Sequence, residues 1–442
     1  MSLNLLGVFW LLLVLYSMSK KMSSTIMLTV ISTIFQNALF ISIGSARVSI
    51  FEVSAIMLIF RYCVLVRRTN LFSSKNPKQE LIVIFLFFLI TIIDGIVYGG
   101  YEIKLYSEYL GLYQTGVEIV SINISTFIVL IRFALYWIIY DIITDYVSCS
   151  DYKINDKNAI KTLKVSIYIV CIVGIFQILT SRGYIDGSFV MSIIHDKNMG
   201  AASAYYSNYI RLFSTFAEPS YCAPWMNAAI WALIYCDKYI SVTEKRILII
   251  ILCMEFVLSL SYSGFLSMAV MILYYIYNNK SKKSFVLSVI ILCTLCVLYI
   301  ATPVGNTISG IIGEKVNSTS GLSRLAYIAD CYRVFFETHC MGVGYMKIKS
   351  MTLLSGLFAQ VGILGTISFV WLIIKKMSRR NITNSQNVTK IFLVAVLIGG
   401  EASCSGLAYL APFWYGLLLF AMTNYVHRDP ARYEIGSVKN EL

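Results

Sequence analysis

Residues 80–98, ELIVIFLFFLITIIDGIVY, decide the kind of protein this is. As a helix, a run of this length covers about 30 Å, the thickness of a bilayer's hydrocarbon core. No water is available there to backbone amides and carbonyls, so the run crosses only as a helix that satisfies itself. Apolar runs of the same kind recur at roughly 3–18, 25–43, 48–66, 119–141, 160–180, 221–238, 246–260, 262–278, 284–301, 352–374, 389–403 and 407–426. The weakest pair, 246–260 and 262–278, shares the tight turn Ser261–Gly264 and reads either as two short helices or as one span with a re-entrant part. The expectation is an all-α polytopic membrane protein of about 12–14 transmembrane helices, forming a single integral domain over 1–442 without internal repeats.

Composition agrees with that reading. The chain is 58% hydrophobic and only 13% charged, where soluble domains carry about 25% charged residues. Its net charge of +13 would suit nucleic acid, but the placement argues for topology instead. With the N-terminus outside and loops assigned alternately, 24 of the 36 basic residues fall on one side, among them Lys20, Lys21, Arg67, Arg68, Lys153, Lys157, Lys238, Lys245, Lys375 and Lys376. Such an excess marks cytoplasmic loops and puts the C-terminus inside. Residues 1–18 lack the basic n-region and small-residue cleavage site of a signal peptide and read as the first span. Most of the eleven cysteines lie in or beside spans, where a thiol behaves as a small hydrophobe. Cys331 and Cys340 share an outer connection, so their pairing stays open. No metal-ligand spacing occurs.

The two longest connections, about 181–220 and 302–351, both fall on the outer side and are where function is expected. The first ends in RLFSTFAEPSYCAPW, residues 211–225. Pro219 suits the first turn of a helix, which puts Glu218 at about the N-cap of the span that follows. There its carboxylate faces the positive end of the helix dipole, a placement suited to accepting a proton or binding a cation; a plain capping role is the alternative. Arg211, if its segment is helical, shares a face with Glu218 two turns away; it reads either as functional or as an interface arginine. In the second connection, LSRLAYIADCYRVFF (322–336) reads as a short amphipathic surface helix followed by the turn-rich MGVGY (341–345). Arg324 and Arg333 are half a turn out of phase, so only one faces a given cavity. Arg324 lies with Tyr327, Ile328 and Cys331 and is the favoured one; Arg333, beside Ala326 and Asp330, reads as part of an ion-pair face.

Two arginines at a membrane surface suit a phosphate ester, because guanidinium stays charged and binds phosphate through two donors at once. Binding of anionic phospholipid is the simpler use of the same groups. Other chemistries lack support. There is no GxxxxGK[ST] loop for ATP, no HExxH motif, and the histidines His195, His339 and His427 come without a nucleophile elbow.

Taken together, RLFSTFAEPSYCAPW, SGLSRLAYIADCYRVF, MGVGY and AQVGILG (359–365) resemble the bacterial polysaccharide polymerases of the O-antigen and capsule type, relatives of the O-antigen ligases. The resemblance covers the whole chain in topology and about 211–225 and 320–365 in local motifs. It implies a membrane glycosyltransferase with a GT-C-like helical architecture in the bacterial inner membrane, its site facing the periplasm. The growing glycan would pass from undecaprenyl diphosphate to the non-reducing end of another lipid-linked repeat unit. Donor and acceptor are then the partners, with membrane lipids and a chain-length regulator protein, and with no nucleic acid, metal or cofactor. An O-antigen ligase or a lipid-linked oligosaccharide flippase is the alternative. Arg211 and Arg324 match the family arginines that hold the diphosphate, and Glu218 matches the EPS glutamate that orients or deprotonates the acceptor hydroxyl. Tyr221, Tyr327, Arg333, Tyr345 and Glu401 complete the set as candidate substrate contacts. The His-Asn pair that ligase relatives place before the GILG-like turn is missing from KSMTLLSGLFAQ (349–360), which leaves the general base open.

Charges inside spans cost about 2.5–3.5 kcal/mol each at mid-bilayer on insertion scales and call for partners. Arg132 and Asp94 are a candidate pair, Glu52 and Glu401 lie near the outer ends of their spans and can line the same cavity, and Arg61 is close enough to the cytoplasm to snorkel.

Overall fold

The computed structural model describes residues 2–43, 46–69, 79–103, 118–150, 152–195, 211–278, 319–378, 383–402, 406–407 and 410–424. The expected span 284–301, residues 196–210 and 302–318 of the two long connections, and His427 lie outside the described residues. The protein is mostly helical. In chain order the helices are α1 (Leu5–Met18), α2 (Met22–Ser32), α3 (Ile50–Thr69), α4 (Gln79–Val97), α5 (Ile124–Cys149), α6 (Tyr152–Ser181), α7 (Ser188–Ile194), α8 (Pro219–Tyr235), α9 (Val242–Leu258), α10 (Tyr262–Asn278), α11 (Thr319–Glu337), α12 (Leu353–Met377), α13 (Asn384–Ala402) and α14 (Ala411–Ala421). Within the described residues four stretches, Gln79–Val97, Ile124–Cys149, Lys153–Ser181 and Leu353–Met377, are long and apolar enough to cross a membrane, and α1, α2, α10 and α14 are shorter apolar helices. The make-up is that of a membrane-associated helical protein.

The run at 25–43 departs from expectation, because it is helix only as far as Ser32. Ser32 and Thr33 turn their hydroxyls back onto the carbonyls of Thr29 and Val30, both at 2.7 Å, which competes with helix continuation. The chain then turns, and the β-branched stretch beyond it forms strand β2 (Leu39–Ile43), between β1 (Ser2–Leu3) and β3 (Ala46–Ser49) in a small antiparallel sheet. A second pair, β4 (Glu102–Ile103) with β5 (Glu118–Ile119), is also antiparallel. The fold is therefore mostly helical, with five short strands in two small sheets among the described residues. The turn Ser261–Gly264 separates two helices, α9 and α10, as one of the two readings required.

Polar cross-links sort the helix ends into two groups. One is the basic end: Arg61 donates to the carbonyls of Ser17 and Lys20, Lys164 pairs with Glu244, Thr383 donates to Asp156, and Asn384 donates to Tyr235. At the opposite end Asn4 donates to Ile193, Tyr98 to Thr338, and the Leu354 amide to Glu401. These links never join one group to the other, which is what alternating spans require. At the basic end a buried ion pair joins Lys376, in the last turn of α12, to Glu80 at the start of α4, with the ammonium 5.3 Å from the centre of the Tyr140 ring. Removing one partner strands the other in a dry site. Glu80→Ala is therefore expected to destabilise the fold by about 3 kcal/mol, and replacing both residues with methionine to recover most of it, as read by thermal unfolding in detergent.

At the centre stands α8, buried at every residue from Pro219 to Leu233, with α9, α10, α13 and α14 packed around it. Close approach is built in, since a Cβ on Gly399 of α13 would lie 2.4 Å from Pro224, and one on Gly264 of α10 would lie 2.5 Å from Ala223.

Candidate functional site

The segment 211–218 that leads into α8 is neither helix nor strand. The condition under which Arg211 and Glu218 would share a helix face is therefore not met. Ser214, at φ +48°, reverses the chain, and the turn itself keeps the two residues close enough for their charges to act on each other. Glu218 is the N-cap of α8, extended at φ −149° and ψ 155°, with Pro219 at the first helical position. Its side chain does not cap the helix, however. Instead Glu218 Oε2 accepts a hydrogen bond from Ser220 Oγ at 3.0 Å.

Arg211 is half-buried. Its Nη2 donates to the Leu260 carbonyl at 3.1 Å, at the turn between α9 and α10, while its Nε is buried with no hydrogen-bond partner among the described residues. Arg324 comes from α11 to the same place. Burial pushes the Arg211 pKa down, the charge on Arg324 pushes it down further, and Glu218 and Tyr262 offset this in part. Neither arginine has an ion-pair partner among the described residues. The site thus holds two like charges close together beside one carboxylate, an arrangement that an added anion relieves. Tyr262 and the Leu260 carbonyl escaped the sequence reading, which took Ser261–Gly264 only as a span boundary. The available signal was its position, since this turn lies on the same side as both long connections.

The remaining candidates divide. Tyr327, one turn from Arg324 on α11, is buried with the Lys349 ammonium 5.2 Å from its ring centre. Tyr221 is buried in the first turn of α8. Arg333 lies between carboxylates, 3.0 Å from Asp330 and 3.9 Å from Glu337; the ion-pair reading holds, although Asp330 is fully buried rather than solvated. Tyr345 is 1% exposed and packed against the rings of Phe87 and Phe133 at 5.4 and 5.3 Å, within an aromatic cluster. Glu401 accepts from the Leu354 amide at 3.1 Å and holds the start of α12. Arg132 pairs with Glu52 at 2.5 Å, not with Asp94. Glu52 lies in the first turn of α3, already fixed by the Ser49 amide at 2.7 Å, whereas both carboxylate oxygens of Asp94 are buried without a hydrogen-bond partner among the described residues. Cys331 and Cys340 are both free thiols.

His195, which ends α7, is buried beside the turn. Its Nε2 donates to the Ser214 carbonyl at 2.6 Å, and its Nδ1 is buried with no partner among the described residues. A proton added at Nδ1 has no acceptor there, and burial lowers the His195 pKa to about 4, well under the ordinary value of about 6.5. The folded pKa is the lower of the two, so the packing is at full strength above about pH 6.5 and weakens as pH falls toward 4. Melting in detergent at pH 7.5 and 4.5 is expected to show acid destabilisation, and His195→Gln, which keeps a donor for Ser214, to reduce it.

Two motifs of the second region, MGVGY and AQVGILG, also meet each other. The MGVGY turn lies across α12 where Gly362, at φ +62° and ψ −167°, interrupts the helix. The Val343 amide donates to Ala359, the Gly344 amide to Gln360, and the Ile363 amide back to Cys340 at 3.0 Å.

No protein-family model matches the chain, and no curated protein is significantly similar to it.

Proposed function

We propose that the protein is a membrane glycosyltransferase that polymerises lipid-linked oligosaccharide repeat units at the outer face of the bacterial inner membrane. The observation that carries this reading is the placement of Arg211 and Arg324, each without an ion-pair partner among the described residues, close to each other and to Glu218 at the head of a buried helix. The motif resemblance and the run of apolar helices add to it, with the GT-C-like architecture and the 12–14 spans as parts of the same proposal.

In this reading the two guanidinium groups hold the diphosphate of the undecaprenyl-linked donor. The bond between the anomeric carbon and the phosphate oxygen breaks, its electron pair leaves on the diphosphate, and the arginines stabilise that charge as it develops. The acceptor sugar hydroxyl forms the new bond to the anomeric carbon, and its proton passes to the Glu218 carboxylate. The glycosyl–diphosphate bond supplies the driving force. A donor tethered in lipid presents its diphosphate at the depth where the outer ends of α8 and α10 meet.

A deletion strain examined for its surface glycan tests the reading. The expected result is a lipid core capped by one repeat unit, since export and attachment remain intact. A core bearing no repeat unit overturns it in favour of a ligase or flippase, and long chains of normal length overturn it outright.

A further inference from the structure

We infer that Gln177 is a positioning residue for Arg211: its buried side-chain amide, reaching from α6, fixes the backbone of the turn that carries the arginine. The inference rests on the role given to Arg211 above. The turn has no helix or strand ladder to satisfy its amides, and buried amides require partners. At its centre Ser214 adopts a left-handed conformation, which an L residue holds only when its surroundings enforce it.

Gln177 is 3% exposed, and both ends of its amide are engaged. Oε1 accepts from the Phe213 amide at 3.1 Å and from the Ser214 amide at 2.9 Å. Nε2 donates to the Arg211 carbonyl at 3.4 Å. One side chain thus spans the backbone from the arginine to the strained serine. Other anchors act on the same few residues: Ser214 Oγ donates to the Val170 carbonyl at 2.6 Å, and the Leu212 amide donates to Leu258 at 3.1 Å. At the far end of the turn Gln36 Oε1 accepts from the Ala217 amide at 3.2 Å, next to Glu218. Each charged residue of the turn therefore has a glutamine from a distant part of the chain holding the backbone beside it.

Electrostatics gives this tether a purpose. A donor fork stabilises developing charge only when it is aimed beforehand, and the charge of Arg324 pushes Arg211 away until an anion arrives. Holding the backbone on three sides keeps the guanidinium in place against that repulsion.

Full-length protein in lipid nanodiscs and cells making the glycan provide the test. Gln177→Met keeps the length of the side chain and removes its hydrogen bonds; Gln177→Glu keeps an accepting oxygen. Gln177→Met is expected to raise hydrogen exchange at the Phe213 and Ser214 amides about tenfold, and to cut long-chain glycan about tenfold at unchanged protein level. Gln177→Glu restores both in large part. Because Gln177 acts through Arg211, adding Gln177→Met to Arg211→Lys should cost little further activity. Unchanged exchange in Gln177→Met overturns the inference, as does raised exchange with glycan of normal length. Full-length glycan from Arg211→Lys alone overturns the functional reading and the positioning role with it; raised exchange in Gln177→Met sets that outcome apart from the first.

Discussion

Replacing Arg211 with lysine is expected to abolish long-chain glycan and leave single repeat units on the lipid core, with the protein present at normal level. The charge survives the change, so the loss isolates the shape of the group. In the structure one arm of the guanidinium is committed to the Leu260 carbonyl at 3.1 Å, and Nε remains buried without a partner among the described residues. A planar fork satisfies the turn and an anion at once; a lysine ammonium at the end of a flexible stem does one or the other. A hydrogen bond to a charged group is worth about 1.5–3 kcal/mol, so the loss of one or two of them in the transition state slows transfer by roughly tenfold to somewhat over ten-thousandfold. Gel profiles of surface glycan beside immunoblots of the protein check this. Full-length glycan from the lysine variant removes Arg211 from the chemistry.

A second large effect is expected at Gly362, on folding rather than on chemistry. Its conformation, φ +62° and ψ −167°, belongs to glycine alone. A Cβ there would lie 2.1 Å from the Met341 carbonyl oxygen and 2.5 Å from that of Cys340. Alanine therefore cannot enter without driving the MGVGY turn off α12, which breaks the hydrogen bonds of Val343, Gly344 and Ile363. Strain of about 1–3 kcal/mol adds to about 1 kcal/mol for each bond lost, so Gly362→Ala is expected to cost about 4 kcal/mol or more. Gly183 provides the control, since it has positive φ, +75°, but no atom within 4 Å of an added Cβ; alanine there should cost only about 1–2 kcal/mol. Thermal unfolding of both variants in detergent measures the difference, and equal melting of the two would refute the interlock.

Several site features were legible in the sequence because their causes are local. Pro219 after Glu218 marks a helix start whatever surrounds it, and the structure has Glu218 at that N-cap. The i, i+3 and i+7 spacing of Arg324, Tyr327 and Cys331 put them on one face of a helix, and α11 buries Tyr327 and Cys331 together. Where the cause lies elsewhere in the chain, the reading stopped short. Whether Arg211 lay in a helix stayed open, because nothing in RLFSTFAE forbids one; in the structure it stands in a turn whose amides Gln177 and Leu258 receive. Arg132 was matched to an acid in the span before it, but the first turn of α3 supplied Glu52 instead.

The sequence by itself determined that the chain is built of apolar helices, roughly where most of them begin and end, and which of their ends carry the basic residues. Those properties follow from run length, capping chemistry and charge placement, all written within a few neighbouring residues. Only the tertiary structure decided that Arg211 and Arg324, from connections far apart in the chain, come close, that Arg333 is neutralised, and that a glycine opens α12 to receive a distant turn. Such features depend on how helices pack, and packing is settled by the shapes of side chains that are neighbours in space but not along the chain.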